Sequence, residues 1–370
     1  MTENVMKIGI IDADLLDNGT RHPNLALMKL SSHYKQLGCT VELLEDYVGL
    51  ESFDKIFISK VFSFTKIPDW IYSKENIEIG GTGFFPDGGK PLPEVIEHSM
   101  PDYSLYNSYV QKRIEKGEPR QRYVDYLDFS IGFTTRGCFR KCDFCVNKKY
   151  DHAFKHSPIS EFFDPQRKFI YLWDDNFFAS KDWKEILNEL KGTNRAFQFR
   201  QGLDIRLLNE EKAIALSEIK YHGDFIFAFD HVEDKDLITE KLTLWRTHSK
   251  KPTKLYVLVA YDSQDENDIE NAFIRIKILM EYNCLPYVMR YEEYKNSKFQ
   301  SLYIQIARWT NQPKFFKKMS FREFCVANQK YAKNQTQSCA CFRAFQDFEK
   351  EYPEIASKYF DMKFEVINRY

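Results

Sequence analysis

The sequence predicts an α/β protein: a partial (β/α)6 TIM-like barrel, preceded by a small doubly wound domain and followed by a mainly helical extension. Short apolar runs alternate with segments of helical periodicity along most of the chain. Strands that alternate with helices pair in parallel through right-handed crossovers. The alternation stops near residue 298, and the remaining periodicity is mostly helical.

The N-terminal part, residues 1–110, is predicted to be a doubly wound sheet of four or five strands. Leu27, Leu30 and Tyr34 recur at helical spacing between the first two strands. A stretch rich in Pro, Gly and charge, 111–123, predicts a connector. The predicted strands lie in residues 7–14, 40–46, 55–62 and 76–84.

The barrel is predicted over residues 125–297, where six apolar runs are separated by helical patterns. Polar residues gather where these strands end, so a site is expected at the C-terminal rim. Residues 298–370 form the predicted extension, which ends in a strand-like tail. The predicted barrel strands lie in residues 128–135, 168–175, 196–202, 223–230, 254–262 and 285–292.

Composition excludes several classes. The 370 residues carry a net charge of -1, which gives no electrostatic reason to expect nucleic acid. No apolar run approaches the roughly 18 residues of a membrane span, and the first residues lack a signal-peptide pattern. We therefore expect a cytoplasmic protein without a membrane partner.

Cys138, Cys142 and Cys145 lie within eight residues, on the loop after the first barrel strand. In a reducing cytosol, closely spaced cysteines favour metal binding or catalysis over disulfides. Structural zinc takes four protein ligands, so three thiols favour a site that stays open. Cys39 and Cys284 stand alone and are interpreted as small hydrophobes.

The C-x3-C-x2-C spacing, with Phe144 before the third cysteine, resembles the radical S-adenosylmethionine (SAM) superfamily. The resemblance implies a 4Fe-4S cluster on three thiolates, with SAM on the open iron and Phe144 beside its adenine. It further implies reductive cleavage of SAM to a 5'-deoxyadenosyl radical, which takes a hydrogen atom from substrate. A reductase or flavodoxin-type protein would then donate the electron.

The segment WDDNFF resembles the DDNF stretch of the branch that includes cobalamin-dependent and methylthio-transferring radical enzymes. This resemblance implies that Asp174, Asp175 and Asn176 hold the SAM ammonium group. Alternatively, the carboxylates cap the next helix. In the same branch, stretches similar to FRQGLDIRLL line the SAM pocket. This resemblance implies that Arg200 binds the SAM carboxylate and that Asp204 belongs to the SAM-binding residues.

Three further residues in the barrel segment carry less specific expectations. Arg206 either takes part in the pocket or forms an ion pair between neighbouring elements, and the sequence favours neither. Asp230 and Asp262 end the next two strands and are expected at the rim, without an assigned role.

The layout of the N-terminal part is similar to the flavodoxin-like cobalamin-binding domain of that branch. The D-x-H-x-x-G signature of a histidine-ligated cobalamin is absent, and His22 does not replace it. Cobalamin is therefore not the expected cofactor, and a domain that contacts substrate or partner is expected instead. A cobalamin-dependent radical SAM methyltransferase stays an alternative.

A second alternative is a metal-stabilised nucleic-acid-binding module, with zinc or iron-sulfur at the cysteine loop. Basic and aromatic residues interleave in 307–323, although an amphipathic helix explains that pattern as well. Cys325, Cys339 and Cys341 supply three ligands for a second metal site or are buried thiols. No motif selects the substrate among small molecules, peptides and nucleic acids.

Overall fold

A computed structural model describes residues 5–331 and 339–367. The chain divides into two compact units, Met1–Gln198 and Phe199–Tyr370. The sheets are parallel apart from one short antiparallel pair, and the fold class is α/β, as the sequence predicts.

The first sheet of unit one is fully parallel, in the order β2-β1-β3-β4. Its strands are β1 (Lys7–Asp12), β2 (Thr40–Leu43), β3 (Lys55–Ser59) and β4 (Ile77–Gly80). The helices in this part of the chain are α1 (Ala13–Asn18), α2 (Leu25–Gln36), α3 (Glu94–Glu97), α4 (Asn107–Glu115) and α5 (Val124–Asp128).

Both faces of this sheet are buried, which explains why its strands are continuous apolar runs. Ile8 and Ile10 point to one face, where α2 contributes Leu27. Ile11 and Ile58 point to the other face, which is covered by irregular segments.

A second sheet has the order β5-β8-β9, and a two-stranded antiparallel pair lies beside it in the chain. The sheet consists of β5 (Phe129–Gly132), β8 (Phe169–Leu172) and β9 (Ala196–Phe199), while the pair is β6 (Thr135–Arg136) with β7 (Phe154–Lys155). Helix α6 (Trp183–Gly192) connects β8 to β9.

Unit two contains a third parallel sheet, in the order β10-β11-β12. Leu203 forms an isolated parallel bridge with Phe227 of its first strand. The elements are α7 (Glu210–Ser217), β10 (Phe225–Ala228), α8 (Lys235–His248), β11 (Thr253–Val259), α9 (Glu266–Glu281) and β12 (Leu285–Arg290).

The rest of unit two is helical and packs around aromatic side chains. Trp309, Phe321 and Phe360 are fully buried there. The helices are α10 (Gln300–Thr310), α11 (Pro313–Phe316), α12 (Phe321–Asn328), α13 (Ala340–Glu351) and α14 (Pro353–Tyr359). In the part of the chain that the structure describes, no helix combines the length and apolar character needed to cross a membrane.

Two local predictions are wrong. The predicted connector begins inside α4, because Tyr109 and Val110 are buried there and hold the helix against the core. The predicted C-terminal strand is absent over residues 363–367, where the Asn283 amide bonds the backbone of Ile367, and residues 368–370 lie outside the described part. The boundaries 1–110, 125–297 and 298–370 stay predictions.

Candidate metal centre and cofactor site

The cysteine loop is closed at its base by the short ladder of β6 and β7. Thr135 pairs with Lys155 and Arg136 with Phe154. The His156 N–H extends the ladder by donating to the Thr134 carbonyl at 2.8 Å. The loop between these strands therefore starts and ends at fixed points, and all three clustered cysteines lie within it.

Gly137, directly before the first cysteine, is required by the backbone. Its φ is +85°, and a Cβ there would lie 2.2 Å from the carbonyl oxygen of His152. Only glycine accepts both the left-handed conformation and this close approach. The Gly137 N–H donates to Oδ2 of Asp175 at 2.6 Å, which ties the loop to the chain after β8.

The sulfur atoms of Cys138 and Cys145 accept hydrogen bonds from N–H groups. Cys138 Sγ accepts from the Arg140 backbone and from Nδ2 of Asn176, both at 3.3 Å. Cys145 Sγ accepts from the Asn147 backbone at 3.4 Å. Hydrogen bonds to the sulfur ligands tune the reduction potential of an iron-sulfur cluster.

Cys142 and Phe144 complete the loop. The Cys142 carbonyl accepts from the Cys145 N–H at 3.0 Å, so a tight turn joins the second and third cysteines. All three cysteines are partly accessible, and Phe144 is half-buried between two of them in sequence. The loop therefore presents its thiols at a surface that a ligand can reach.

Asp174 binds the start of the loop through both carboxylate oxygens. Oδ1 accepts from the backbones of Thr134 and Thr135 at 2.6 and 2.8 Å, and Oδ2 accepts from the Thr134 hydroxyl at 2.6 Å. Burial raises the pKa of Asp174 to about 7. The alternative of a helix cap is wrong, because α6 begins only after Asp182 and Asn176 makes no capping bond.

The side chains at the cysteine loop suit an iron-sulfur cluster with bound SAM. Three thiols suit the cluster, and two buried polar atoms beside the loop, Thr135 Oγ1 and Trp173 Nε1, have no partner among the described residues. Within residues 5–331 and 339–367, no group of three His, Cys, Asp or Glu side chains is preassembled for a metal. The fit rests on the chemistry of the donor set, because three partly accessible thiols are the ligands that iron-sulfur clusters take.

The other two predicted cofactor residues lie in unit two. Arg200 directly follows β9, and its carbonyl accepts from the Tyr256 hydroxyl at 3.1 Å. Asp204 is buried and accepts from Nε of Arg206 at 2.8 Å, while Nη1 of Arg206 donates to Asp234 at 2.9 Å. The ion-pair interpretation of Arg206 is confirmed.

The sequence assigns His22 no role, but in the structure its side chain pairs with a carboxylate. Its Nδ1 lies 2.5 Å from Oδ2 of Asp125, more than 100 residues further along the chain. The ring makes an edge contact with Trp173, the residue before Asp174, at 5.9 Å between centroids. Because His22 and Asp125 are so far apart in the chain, no local sequence pattern predicts that they pair.

Asp230 and Asp262, the predicted rim carboxylates of unassigned role, line one cavity in unit two. His231 and Arg275 line it too, and neither was predicted. Arg275 did leave a signal, because it shares helical spacing with the buried residues Ala272 and Leu279. A cation on an apolar helix face needs buried partners.

The C-terminal cysteines lie near one another, with a hydrogen bond between the side chains of Cys325 and Cys341, and the second metal site stays a prediction. Cys325 and Cys341 are buried, and burial raises the pKa of the Cys325 thiol, while Cys339 caps α13 through its sulfur. In the basic stretch 307–323, Trp309 and Phe316 are fully buried and not available to stack on bases. Cys284 is buried and Cys39 packs against the core, as expected for lone thiols.

No family model matches this chain, and no curated protein matches it. Among solved structures, it is similar to the radical SAM methyltransferase TsrM from Kitasatospora setae, determined with cobalamin and a 4Fe-4S cluster bound. The TM-score is 0.50 at 12% identity, over 77% of this chain and 75% of that chain. The likeness shows a shared fold.

Two further structures score lower. TsrM with tryptophan substrate and a SAM analogue bound gives a TM-score of 0.49 at 12% identity, over 77% of this chain and 72% of that chain. SuiB from Streptococcus suis gives 0.36 at 12% identity, over 66% and 67%.

Proposed function

We propose that this protein is a radical SAM enzyme, in which Cys138, Cys142 and Cys145 hold a 4Fe-4S cluster with one iron open. The observation that carries the proposal is the loop itself: its three thiols lie between the paired strands β6 and β7, and N–H groups donate to the sulfur atoms of Cys138 and Cys145. A cluster of this kind, when reduced, supplies the electron that cleaves bound SAM.

The residues around the loop then take distinct roles. Asp174 holds the backbone at Thr134 and Thr135, and Asp175 holds Gly137, so both carboxylates orient the loop. Asn176 donates to the Cys138 sulfur and holds that side chain in place. Both carboxylate oxygens of Asp174 accept hydrogen bonds from Thr134 or Thr135, whereas Asp175 accepts the Gly137 bond through Oδ2. We therefore assign the SAM ammonium to Asp175 and Asn176.

Three residues complete the proposed SAM site. Phe144 packs beside the adenine, Arg200 binds the carboxylate of SAM, and Asp204 orients the loop after β9 through its bond to Arg206. Nothing restricts the substrate to one class in this proposal. The electron comes from a reductase or flavodoxin-type protein, and the oxygen-sensitive cluster suits a cytoplasmic location.

The same proposal extends to the fold. Strands β5, β8, β9, β10, β11 and β12 correspond to the six strands of a partial barrel, with the cysteine loop after the first of them. The sheet β2-β1-β3-β4 corresponds to a flavodoxin-like domain. In such sheets, ligands bind outside the carboxyl ends of the strands where the strand order reverses.

That domain gives a second candidate, a cobalamin-dependent methyltransferase. It is favoured by the fold shared with TsrM, which binds cobalamin, and by the parallel sheet, where a Cβ at Gly81 or Gly83 would lie 2.3 or 2.6 Å from a backbone carbonyl oxygen just after β3. Retention of added hydroxocobalamin in about one equivalent per chain after gel filtration would support this candidate. Complete loss of the cofactor on the column would remove it.

The proposal is tested by metal analysis of anaerobically reconstituted protein. About four iron and four sulfide per chain are expected, because that is the content of one cluster. Each of the changes Cys138→Ala, Cys142→Ala and Cys145→Ala should lower the content severalfold. Cys39→Ala is the matched control and should leave it unchanged, since that thiol packs against the sheet. One zinc without sulfide would contradict the proposal.

A further inference from the structure

Two histidines lie at the base of the cysteine loop, where the chain leaves it. His156 directly follows β7, and its backbone extends the ladder that closes the loop. His98 directly follows α3, and the two rings make an edge contact with 5.1 Å between their centroids. Neither histidine takes part in the proposed cluster or SAM site.

The chain after β7 is joined to α3 by two crossed histidine–glutamate pairs. Nε2 of His156 lies 3.3 Å from Oε1 of Glu97, the last residue of α3. Nδ1 of His98 lies 2.8 Å from Oε2 of Glu161, in the turn that follows β7. Each of the two segments contributes one histidine and one carboxylate, so both pairs hold the base of the loop against α3.

Glu97 is the fixed partner in these pairs. Lys29, a buried residue of α2, places Nζ 3.1 Å from Oε1 of Glu97 and also donates to the Glu97 carbonyl. Burial acts to raise the pKa of Glu97, but hydrogen bonds from His156 and Lys29 lower it to about 2. Glu97 therefore stays charged near neutral pH, where the histidines change their charge.

The contacts of His98 show which charge state of the ring they require. Nδ1 faces Glu161, and Nε2 lies 3.2 Å from Oε2 of Glu94, an exposed residue one turn earlier in α3. A neutral imidazole carries one N–H and can donate to only one of these carboxylates, whereas an imidazolium donates to both. Both contacts of His98 are therefore hydrogen bonds only when the ring is protonated.

The charges around the two rings balance in the same state. In the described part of the chain, the ionisable groups that contact the rings directly or through Glu97 are three carboxylates and one lysine, Glu94, Glu97, Glu161 and Lys29. With both rings protonated, these carboxylates face an equal number of cations. With both rings neutral, only the lysine opposes them, so the excess negative charge weakens the contact between the two segments.

Lys155, the residue before His156, provides a second anchor for β7. Its Nζ lies 2.8 Å from Oε1 of Glu185 and 2.7 Å from Oε1 of Glu189, both in α6. Lysine and glutamate keep their charges over the range in which histidine titrates. The base of the loop therefore stays attached when the histidine pairs weaken, and the change is a local loosening.

We propose that the two crossed histidine–glutamate pairs form a pH-sensitive latch on the cysteine loop, closed when both rings are protonated and loosened when they lose their protons. Histidine changes its charge between about pH 5 and pH 8, so the latch responds in the physiological range. A closed latch fixes the end of the loop that carries the three thiols, and it slows the loss of the cluster. This last consequence rests on the proposed function, because it regulates the cluster site of that enzyme.

Hydrogen exchange followed by mass spectrometry tests the latch in the anaerobically reconstituted full-length protein. Peptides that cover residues 134–137 and 154–157 are measured at about pH 6 and about pH 8, and their exchange is corrected for intrinsic rates. His98→Gln and His156→Gln each keep a hydrogen-bond donor and remove the titration. His152→Gln is the matched control, since His152 is exposed, lies in the same loop and pairs with no carboxylate in the described residues.

In the wild type, the opening equilibrium of these amides should rise about fivefold from the lower to the higher pH, the combined effect of two partly exposed ion pairs. Each single variant should reduce the rise to about twofold, and the His98→Gln/His156→Gln double variant should abolish it. His152→Gln should behave as the wild type does. No rise in the wild type, or the same rise in the double variant, would overturn the latch.

The release of iron to a chelator, measured at the same two pH values, connects the latch to the cluster. The rate for the wild type divided by the rate for the double variant should be higher at about pH 8 than at about pH 6. A ratio that does not change with pH would overturn the effect on the cluster.

Failure of the latch and failure of the proposed function give different results. A pH-dependent latch in a protein that takes up no iron and sulfide would leave the latch standing and refute the proposed enzyme. A full cluster in a protein whose exchange matches that of the double variant at both pH values would support the enzyme and refute the latch.

Discussion

At the scale of single residues, the sequence predicts which side chains matter better than it predicts what they contact. Asp174 stands in a recognisable segment, yet its three hydrogen bonds go to Thr134 and Thr135, about forty residues earlier. Asp125 and His22 pair over a longer separation still. Spacing within a motif carries no information about such partners, because they meet only after the strands have paired.

Asp12, at the end of β1, gives a pH prediction at this scale. Burial raises its pKa to about 7, although Tyr106 and the Leu15 backbone donate to it. Between about pH 4 and pH 7 the folded state holds a proton on Asp12 that the unfolded state has lost. This group therefore makes the free energy of unfolding fall as pH rises, by up to about 1.4 kcal/mol per unit.

Chemical denaturation of wild type and Asp12→Asn across this range measures the effect. The difference in unfolding free energy, variant minus wild type, should rise from pH 4 to pH 7 and then stay constant. Asp69→Asn, an exposed residue in the same unit, should give a flat difference. A flat difference for Asp12→Asn as well would contradict the assigned pKa.

At the scale of elements, periodicity predicted most strands and helices to within a few residues. The predicted strand 254–262 is β11, Thr253–Val259, and the predicted strand 285–292 is β12, Leu285–Arg290. Helix α4 was interpreted as a connector because Lys112 and Arg113 dominate its sequence, whereas its two buried residues decide its structure. The charged residues of α4 obscure the short apolar pattern of its buried residues in the sequence.

The cysteine loop is the element on which the account depends, and Gly137 tests it. Gly137→Ala should cost more than the roughly 1 kcal/mol of a left-handed alanine, because its Cβ would displace the carbonyl of His152. Iron and sulfide content after reconstitution should fall together with the melting temperature. Gly117, with φ +90° and no atom near its Cβ, is the matched control.

Gly117→Ala introduces the same backbone strain outside the loop. It should lower the melting temperature slightly and leave the iron content unchanged. If the two alanine variants lose iron to the same extent, the close approach at His152 does not shape the site.

At the scale of the whole molecule, the α/β class followed from the alternation of strands and helices alone. The cysteine spacing pointed to one family, and the fold shared with TsrM agrees with it. The histidine latch could not be read in the same way. It depends on Lys29, Glu97 and His156, which lie in or beside three separate elements and come together only in the folded chain.

The most direct test of the account is the formation of 5'-deoxyadenosine. Anaerobically reconstituted protein is given SAM and a strong reductant, and the product is measured by mass spectrometry. We expect 5'-deoxyadenosine with the wild-type protein and none with Cys142→Ala. Equal product from both proteins, or none from a wild-type protein loaded with iron and sulfide that also fails to bind SAM, would contradict it.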